Sequence, residues 1–196
     1  MRTVFVASAL ALALLGSPPA AQAAPATYRL DPSKSTLAFG FTQAGARNKG
    51  RFDKFDVNFV FDAAQSQATR LDVTVQVGSL DTADKDRDST LRGADLFNAA
   101  KFPQAHFAAT EFTRTDATHF EAVGKLTIRD VTRDLRVPFT FAPFTEGGRA
   151  GGSLSGQLVI KRLDFGVGQG EWKSTEWVAN EVAVSFALRL IASPAS

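Results

Sequence analysis

The strongest constraint in this sequence is an alternation of apolar and polar residues that returns in run after run. It is cleanest near the C-terminus, where Val182, Val184, Phe186, Leu188 and Leu190 interleave with Glu181, Ala183, Ser185, Ala187 and Arg189. Successive side chains of an extended chain point to opposite faces, so this period of two predicts a strand with one face on a core and one in water. Leu37, Phe39 and Phe41 repeat the pattern, as do Phe55, Val57, Phe59 and Phe61, and then Leu71, Val73, Val75 and Val77. Further runs are Ala122 to Ile128, Leu135 to Phe141, and Leu154, Leu158 and Ile160. Turn signals part them at Asp62-Ala63-Ala64, at Asp116-Ala117-Thr118 and at the glycines between Gly147 and Gly152. Many closely spaced strands with one apolar face each predict a sandwich or a barrel, and only a barrel leaves no open sheet edge.

One segment departs from the alternation. Asp81 to Pro103 is polar and charged, and reads as one or two short helices across a barrel mouth or wall, with Ser89 or Thr90 as cap and a second turn at Asp95-Leu96-Phe97. The expected architecture is therefore all-β, an antiparallel barrel of the lipocalin-like kind with one or two short helices.

The first 23 residues read as an export signal. Arg2 precedes the apolar run Val4 to Leu15, and Ala21-Gln22-Ala23 fits a small-x-small cleavage site. The expected mature domain is residues 24–196, and the expected location is the periplasm. The chain of 196 residues has no cysteine, which excludes disulfides, thiolate metal sites and a cysteine nucleophile. An exported domain of this kind relies on its core alone. With 22 basic and 20 acidic residues, and no basic run interleaved with aromatics, nucleic acid is not an expected partner. The 17 Phe against 1 Tyr supply ring area without hydroxyls that need partners, which suits a dry interior.

Motifs for catalysis are absent from the pattern. His106 and His119 fall on different strands and outside metal-ligand spacing, and there is no G-x-S-x-G elbow. Asp81, Asp84, Asp86 and Asp88 crowd one loop, but Lys85 and Arg87 lie between them, which reads as a turn with local ion pairs. The expectation is a binding protein with no metal and no covalent cofactor. Between Arg162 and Trp172, glycines alternate with large side chains, and Trp177 follows, so two indoles are placed to cover the end of an apolar interior.

Six segments in order resemble the YceI family, the polyisoprenoid-binding-like proteins of bacterial periplasms. They are Tyr28-Arg29-Leu30-Asp31-Pro32 with Ser35; Gly50-Arg51-Phe52 with Phe55; and Leu80-Asp81-Thr82 with Asp88, Leu91 and Arg92. Asp95 to Asn98 with Lys101-Phe102-Pro103, Gly124 to Thr132, and Arg162 to Gly166 complete the set. Many members carry histidine where Lys34 stands and another near Gln43, so any role of those histidines does not transfer. The resemblance implies a barrel with an elongated apolar tunnel that holds a long isoprenoid lipid or isoprenoid quinone. Gly168-Gln169-Gly170-Glu171-Trp172 is similar to a subgroup found beside or fused to cytochrome b561-type membrane proteins. A b561-type partner and a homodimer are accordingly expected by resemblance. The tunnel wall is expected at Phe39, Phe41, Phe52, Phe59, Phe97, Phe107, Phe139, Phe165 and Trp172, with Asp88, Arg92 and Trp177 meeting a headgroup at the mouth.

Overall fold

A computed structural model describes residues 25–193 apart from 63, 64 and 66. The proposed leader, residues 1–23, lies outside the described residues. In chain order the elements are β1 (Ala26–Leu30), β2 (Thr36–Gln43), β3 (Ala46–Phe52), β4 (Phe55–Asp62), β5 (Gln67–Gln76), β6 (Leu80–Asp81), α1 (Lys85–Arg92), β7 (Gln104–Arg114), β8 (His119–Ile128), β9 (Val131–Glu146), β10 (Arg149–Lys161) and β11 (Val178–Ala192). All strand pairings among the described residues are antiparallel.

The sheet closes on itself because β11 pairs with two segments in succession. Its first part meets β2, from Val178 opposite Gln43 to Ala187 opposite Thr36, and its last part meets β1, from Leu190 opposite Leu30 to Ala192 opposite Tyr28. β1 and β2 are thus one long staff broken by a short turn. Pro32 cannot donate to a ladder, and it opens a 3₁₀ turn over Pro32–Lys34. Asp31 caps that turn by accepting from the Ser33 N–H at 3.1 Å, and the Ser35 hydroxyl accepts from the Arg189 N–H at 2.9 Å, which returns the chain to register. β3 and β4 form a second broken staff. At the break Asp53 and Lys54 donate their N–H groups to the Ser79 carbonyl and hydroxyl, at 3.1 and 3.0 Å. Counting each broken pair once, β1/β2, β3/β4, β5, β7, β8, β9, β10 and β11 make an eight-stranded antiparallel barrel.

The two ends of the barrel differ. At one end the inward side chains are Tyr28, Phe59, Phe61, Phe120, Phe139, Phe141 and Leu190, all buried. Their rings interlock: Phe59 and Phe141 meet at 4.8 Å between centroids, Phe61 and Phe141 at 4.7 Å, and Phe120 stacks on Phe139 at 5.4 Å. Gly152 makes room for this plug, since a Cβ there would collide with the Phe141 ring. At the other end the mouth is crossed by α1, the Asp95–Phe97 turn and the connection from β10 to β11. A second apolar cluster, Leu96, Ile128, Phe165 and Val167, ties these segments to the barrel rim.

The helix starts where Asp84, not Ser89 or Thr90, caps it. The Asp84 carboxylate accepts from the Asp86 and Arg87 N–H groups at 3.1 and 3.0 Å, and these bonds hold its pKa below the usual carboxylate range, the Arg87 N–H contributing most. Ser89 and Thr90 lie inside the helix, and the Thr90 hydroxyl donates to the Asp86 carbonyl at 2.9 Å. A carboxylate caps better here because it also meets the positive helix end. Within Asp81–Pro103 the described residues form one α-helix, and the second expected element at Asp95–Phe97 is a hydrogen-bonded turn.

Candidate functional site

Above the aromatic plug the barrel is hollow. A cavity of about 530 Å³ runs from the mouth down to the level of Val57, Leu71, Val137, Leu154 and Leu188. The strands supply its wall through their inward positions. β5 gives Leu71, Val73 and Val75, β11 gives Val182, Val184, Phe186 and Leu188, and β2 gives Leu37, Phe39 and Phe41. The boundary between hollow and plug falls part-way along the strands. On β4, Phe55 and Val57 border the space and Phe59 and Phe61 fill the plug; on β9, Leu135 and Val137 border it and Phe139 and Phe141 fill the plug. Polar side chains gather at the mouth: Gln43 from the β2–β3 hairpin, and Asp84, Asp86, Arg87 and Thr90 from the helix and its cap. An apolar vessel with polar groups confined to its opening holds a molecule that is greasy along its length and polar at one end.

Six of the twelve residues expected at the site from sequence border the cavity: Phe39, Phe41, Phe52, Phe97, Phe107 and Trp172. Phe39 and Phe52 meet at 5.1 Å between centroids, and Phe52 meets Phe97 edge-on at 6.3 Å, so this group forms one panel of the wall. The other six lie elsewhere. Phe59 and Phe139 belong to the plug, because four other rings stand at their level of the barrel. Phe165 is packed under the mouth against Leu96, Ile128 and Val167. Asp88 is buried, at 7% exposure, and turns away from the opening to accept from the Thr82 N–H at 2.9 Å and the Thr82 hydroxyl at 2.7 Å. Arg92 donates to the carbonyls of Gly78 and Leu80, at 3.0 and 2.5 Å, which fastens the helix to the chain before it. Trp177 is 69% exposed and points away from the cavity; its carbonyl accepts from the Ala44 N–H at 2.7 Å. The carboxylates of the 81–88 loop are engaged in the same local work. Asp81 accepts from the Ala83 N–H and pairs with Arg51, and Asp84 pairs with Arg87 at 3.3 Å.

One residue at the mouth is missed by the sequence reading. Arg162 is only 5% exposed and borders the cavity, yet no carboxylate among the described residues pairs with it. All five guanidinium N–H groups go to backbone carbonyls. Nε donates to Ala179 at 3.1 Å, Nη1 to Val167 and Trp172 at 3.0 and 2.7 Å, and Nη2 to Ser174 and Val178 at 3.1 and 2.8 Å. Burial lowers its pKa from the ordinary guanidinium value. In sequence it stands at the head of the glycine-rich connection and of the Arg162–Gly166 element, and that place is the signal by which it could have been found.

The sequence pattern of the YceI-like domain matches residues 28–190, which takes in every strand that shapes the cavity. The chain belongs to the YceI family. A UPF0312 protein of Azotobacter vinelandii is 32% identical over 174 residues, covering 85% of this chain and 88% of that protein. Protein YceI of Escherichia coli O157:H7 is 34% identical over 122 residues, 60% of this chain and 62% of that one. The match to a UPF0312 protein of Enterobacter likewise spans 62% of that relative's length, at 37% identity. Among solved structures, BcnA of Burkholderia cenocepacia superposes with a TM-score of 0.74 at 34% identity, covering 82% of this chain and 98% of that one. A polyisoprenoid binding domain from Saccharophagus degradans, implicated in plant cell wall breakdown, shares the fold, with a TM-score of 0.67 at 17% identity over 85% of this chain and 98% of that one.

Proposed function

We propose that this YceI-family protein binds a long isoprenoid lipid or isoprenoid quinone and carries or sequesters it in the periplasm after removal of residues 1–23. The observation that supports this most is the division of one barrel into a solid aromatic half and an apolar hollow of about 530 Å³ that opens at a polar mouth. A prenyl tail is a run of apolar carbons, and each buried methylene-sized piece is worth roughly 0.8 kcal/mol. Several isoprene units therefore gain on the order of ten kcal/mol before the entropy of association is subtracted. The polyisoprenoid binding of the Saccharophagus domain adds support at the level of the fold. The engagement of Asp81, Asp84 and Asp88 in local hydrogen bonds and ion pairs favours binding over catalysis.

The test is mass spectrometry of organic extracts from the purified protein, followed by uptake of added prenols into delipidated protein. A prenyl lipid in the extract, or stoichiometric uptake, is the expected result. An empty barrel that takes up no isoprenoid overturns the reading. A second reading, contact with a cytochrome b561-type membrane protein, draws on the exposed indole of Trp177 beside the mouth. Co-purification with such a protein that is lost in Trp177→Ala supports it, and unchanged co-purification counts against it.

A further inference from the structure

The wall of the cavity is built in two ways. Most of it is barrel strand, held by ladders on both sides. The rest, at the mouth, is the stretch 166–177 between β10 and β11, which contributes Val167 and Trp172 to the lining. This stretch has no ladder. Its hydrogen bonds to the rest of the protein come from few places. The Gly168 and Gln169 N–H groups both reach one carbonyl, that of Asp95, at 3.0 and 2.7 Å. The Val167 N–H reaches the Arg162 carbonyl at 3.1 Å, and the Trp177 carbonyl accepts from Ala44. The Gly166 N–H reaches the Leu163 carbonyl at 3.1 Å, Val167 packs against Leu96, Ile128 and Phe165, and the remaining hydrogen bonds from the described residues to this stretch pass through the Arg162 guanidinium. Three of the five acceptors, on Val167, Trp172 and Ser174, belong to the stretch, and two, on Val178 and Ala179, belong to the start of β11. One side chain therefore clasps the middle of the connection to the strand that follows it.

Only arginine carries five donors in a rigid fork, and a lysine at this place leaves at least two of the carbonyls without a partner. The clasp also demands glycine at 168. A Cβ there would overlap the Arg162 Nη1, and the Gly168 φ of +124° disfavours any side chain. The other segment over the mouth is tied differently. α1 and the Asp95–Phe97 turn are fastened by Asp88 to Thr82, by Arg92 to Gly78 and Leu80, and by Arg129 to Ala94 and Leu96. Side chains of three different residues must release before that side opens, whereas among the described residues one guanidinium is the only side chain that hydrogen-bonds the 166–177 stretch to the barrel, beside backbone bonds to Asp95, Arg162, Leu163 and Ala44.

We propose that the 166–177 stretch is the movable part of the cavity wall and that Arg162 is its latch, so that lipid enters and leaves while the barrel stays closed. This rests on the lipid-binding reading for its purpose, but the opening itself is a property of the protein alone. Arg162 acts as a positioning residue: its donors are all taken by carbonyls, and it holds Trp172 and Val167 in the wall.

Hydrogen exchange tests the opening without any variant. In delipidated protein the amides of Val167, Gly168, Gln169 and Trp172 exchange at least about a hundredfold faster than those of the β10–β11 ladder, by local opening that is insensitive to denaturant. Bound geranylgeraniol, a C20 prenol, slows them. Exchange of these amides only with global unfolding overturns the proposal. Arg162→Lys and Gly168→Ala then each speed geranylgeraniol dissociation about tenfold or more, the size set by the loss of one or two of the hydrogen bonds. Leu190→Ala, which weakens the plug and leaves the latch alone, does not. Dissociation unchanged in both latch variants, or raised equally by Leu190→Ala, overturns the assignment to Arg162. If Arg162→Lys does not fold, Gly168→Ala and the exchange data decide. If the wild-type protein takes up no prenol, the lipid reading fails, and the exchange of the four amides still judges the latch.

Discussion

The division of the barrel into plug and hollow sets the cost of removing the same side chain at two heights. Leu190 is fully buried in the plug, and Leu158 stands on the cavity wall, across the ladder from Val184. Leu190→Ala leaves a void among packed rings that relax only in part, so the transfer and cavity terms add to about 3–4 kcal/mol. Leu158 already borders open space and is incompletely buried. Its truncation enlarges an existing cavity and forfeits only part of the transfer term, about 1 kcal/mol. For a domain of this size each kcal/mol moves the melting temperature by about 2–4 °C, so the drops are about 10 °C and about 3 °C. Urea unfolding of delipidated protein, with a common slope for wild type and both variants, measures the pair directly. Equal losses within about 0.5 kcal/mol refute the reasoning, because they mean the two heights are packed alike and the interior is solid throughout.

Three further outcomes follow from the same geometry. Leu158→Trp places an indole in the hollow, so it weakens prenol uptake at least about tenfold with little change in the melting temperature of the empty protein, measured by dye displacement and thermal unfolding. Asp88→Ala removes the acceptor of both Thr82 bonds and costs about 2–3 kcal/mol by urea unfolding, since hydrogen bonds to a buried charge are worth more than neutral ones. Asp116, in the β7–β8 turn, has its pKa lowered to about 2, chiefly by the Thr118 N–H and then by the His119 side chain and N–H. A depressed carboxylate stabilises the fold above its unfolded pKa and loses that contribution as pH falls toward about 2, so NMR titration of its carboxyl carbon gives a midpoint near about 2, and Asp116→Asn flattens the acid limb of stability against pH.

Much of the barrel was legible in the alternation, because a period of two fixes which face of a strand is inward. The alternation carries no information about height along the axis. Phe39 and Phe59 look equivalent in sequence, but Phe59 meets Phe61, Phe139, Phe141 and Tyr28 inside the plug, and Phe39 meets Phe41 and Phe52 and borders open space. Telling them apart requires the register of neighbouring strands, which long-range pairing sets. The mouth was legible in composition and not in detail. Asp88 and Arg92 stand in a charged run and lie 3.9 Å apart, yet their hydrogen bonds go to backbone and hydroxyl groups of the chain just before the helix. Trp172 and Trp177 fall five positions apart on a turning connection, and one faces the cavity while the other faces solvent.

The plug and the hollow also answer how a chain without cysteine can keep an empty half. A void forfeits dispersion contacts along its whole lining, and a barrel hollow from end to end needs another source of stability. Here interlocked rings on β1, β4, β8 and β9 fill one end, and the inward positions of β5 and β11 beside the space are mostly valine and leucine. β-branched residues keep a strand extended through local backbone preference even when nothing packs against their tips. The wall therefore depends less on filling than the plug does, and the hydrogen-bonded ladder continues from one half into the other through β9, β10 and β11. Stability is generated at the closed end and transmitted along unbroken strands to the open one. The two broken staffs, at Asp31–Ser35 and at Asp53–Lys54, interrupt one side of the barrel near the same junction, where Ser35 and Ser79 repair the lost ladder bonds with side-chain hydroxyls.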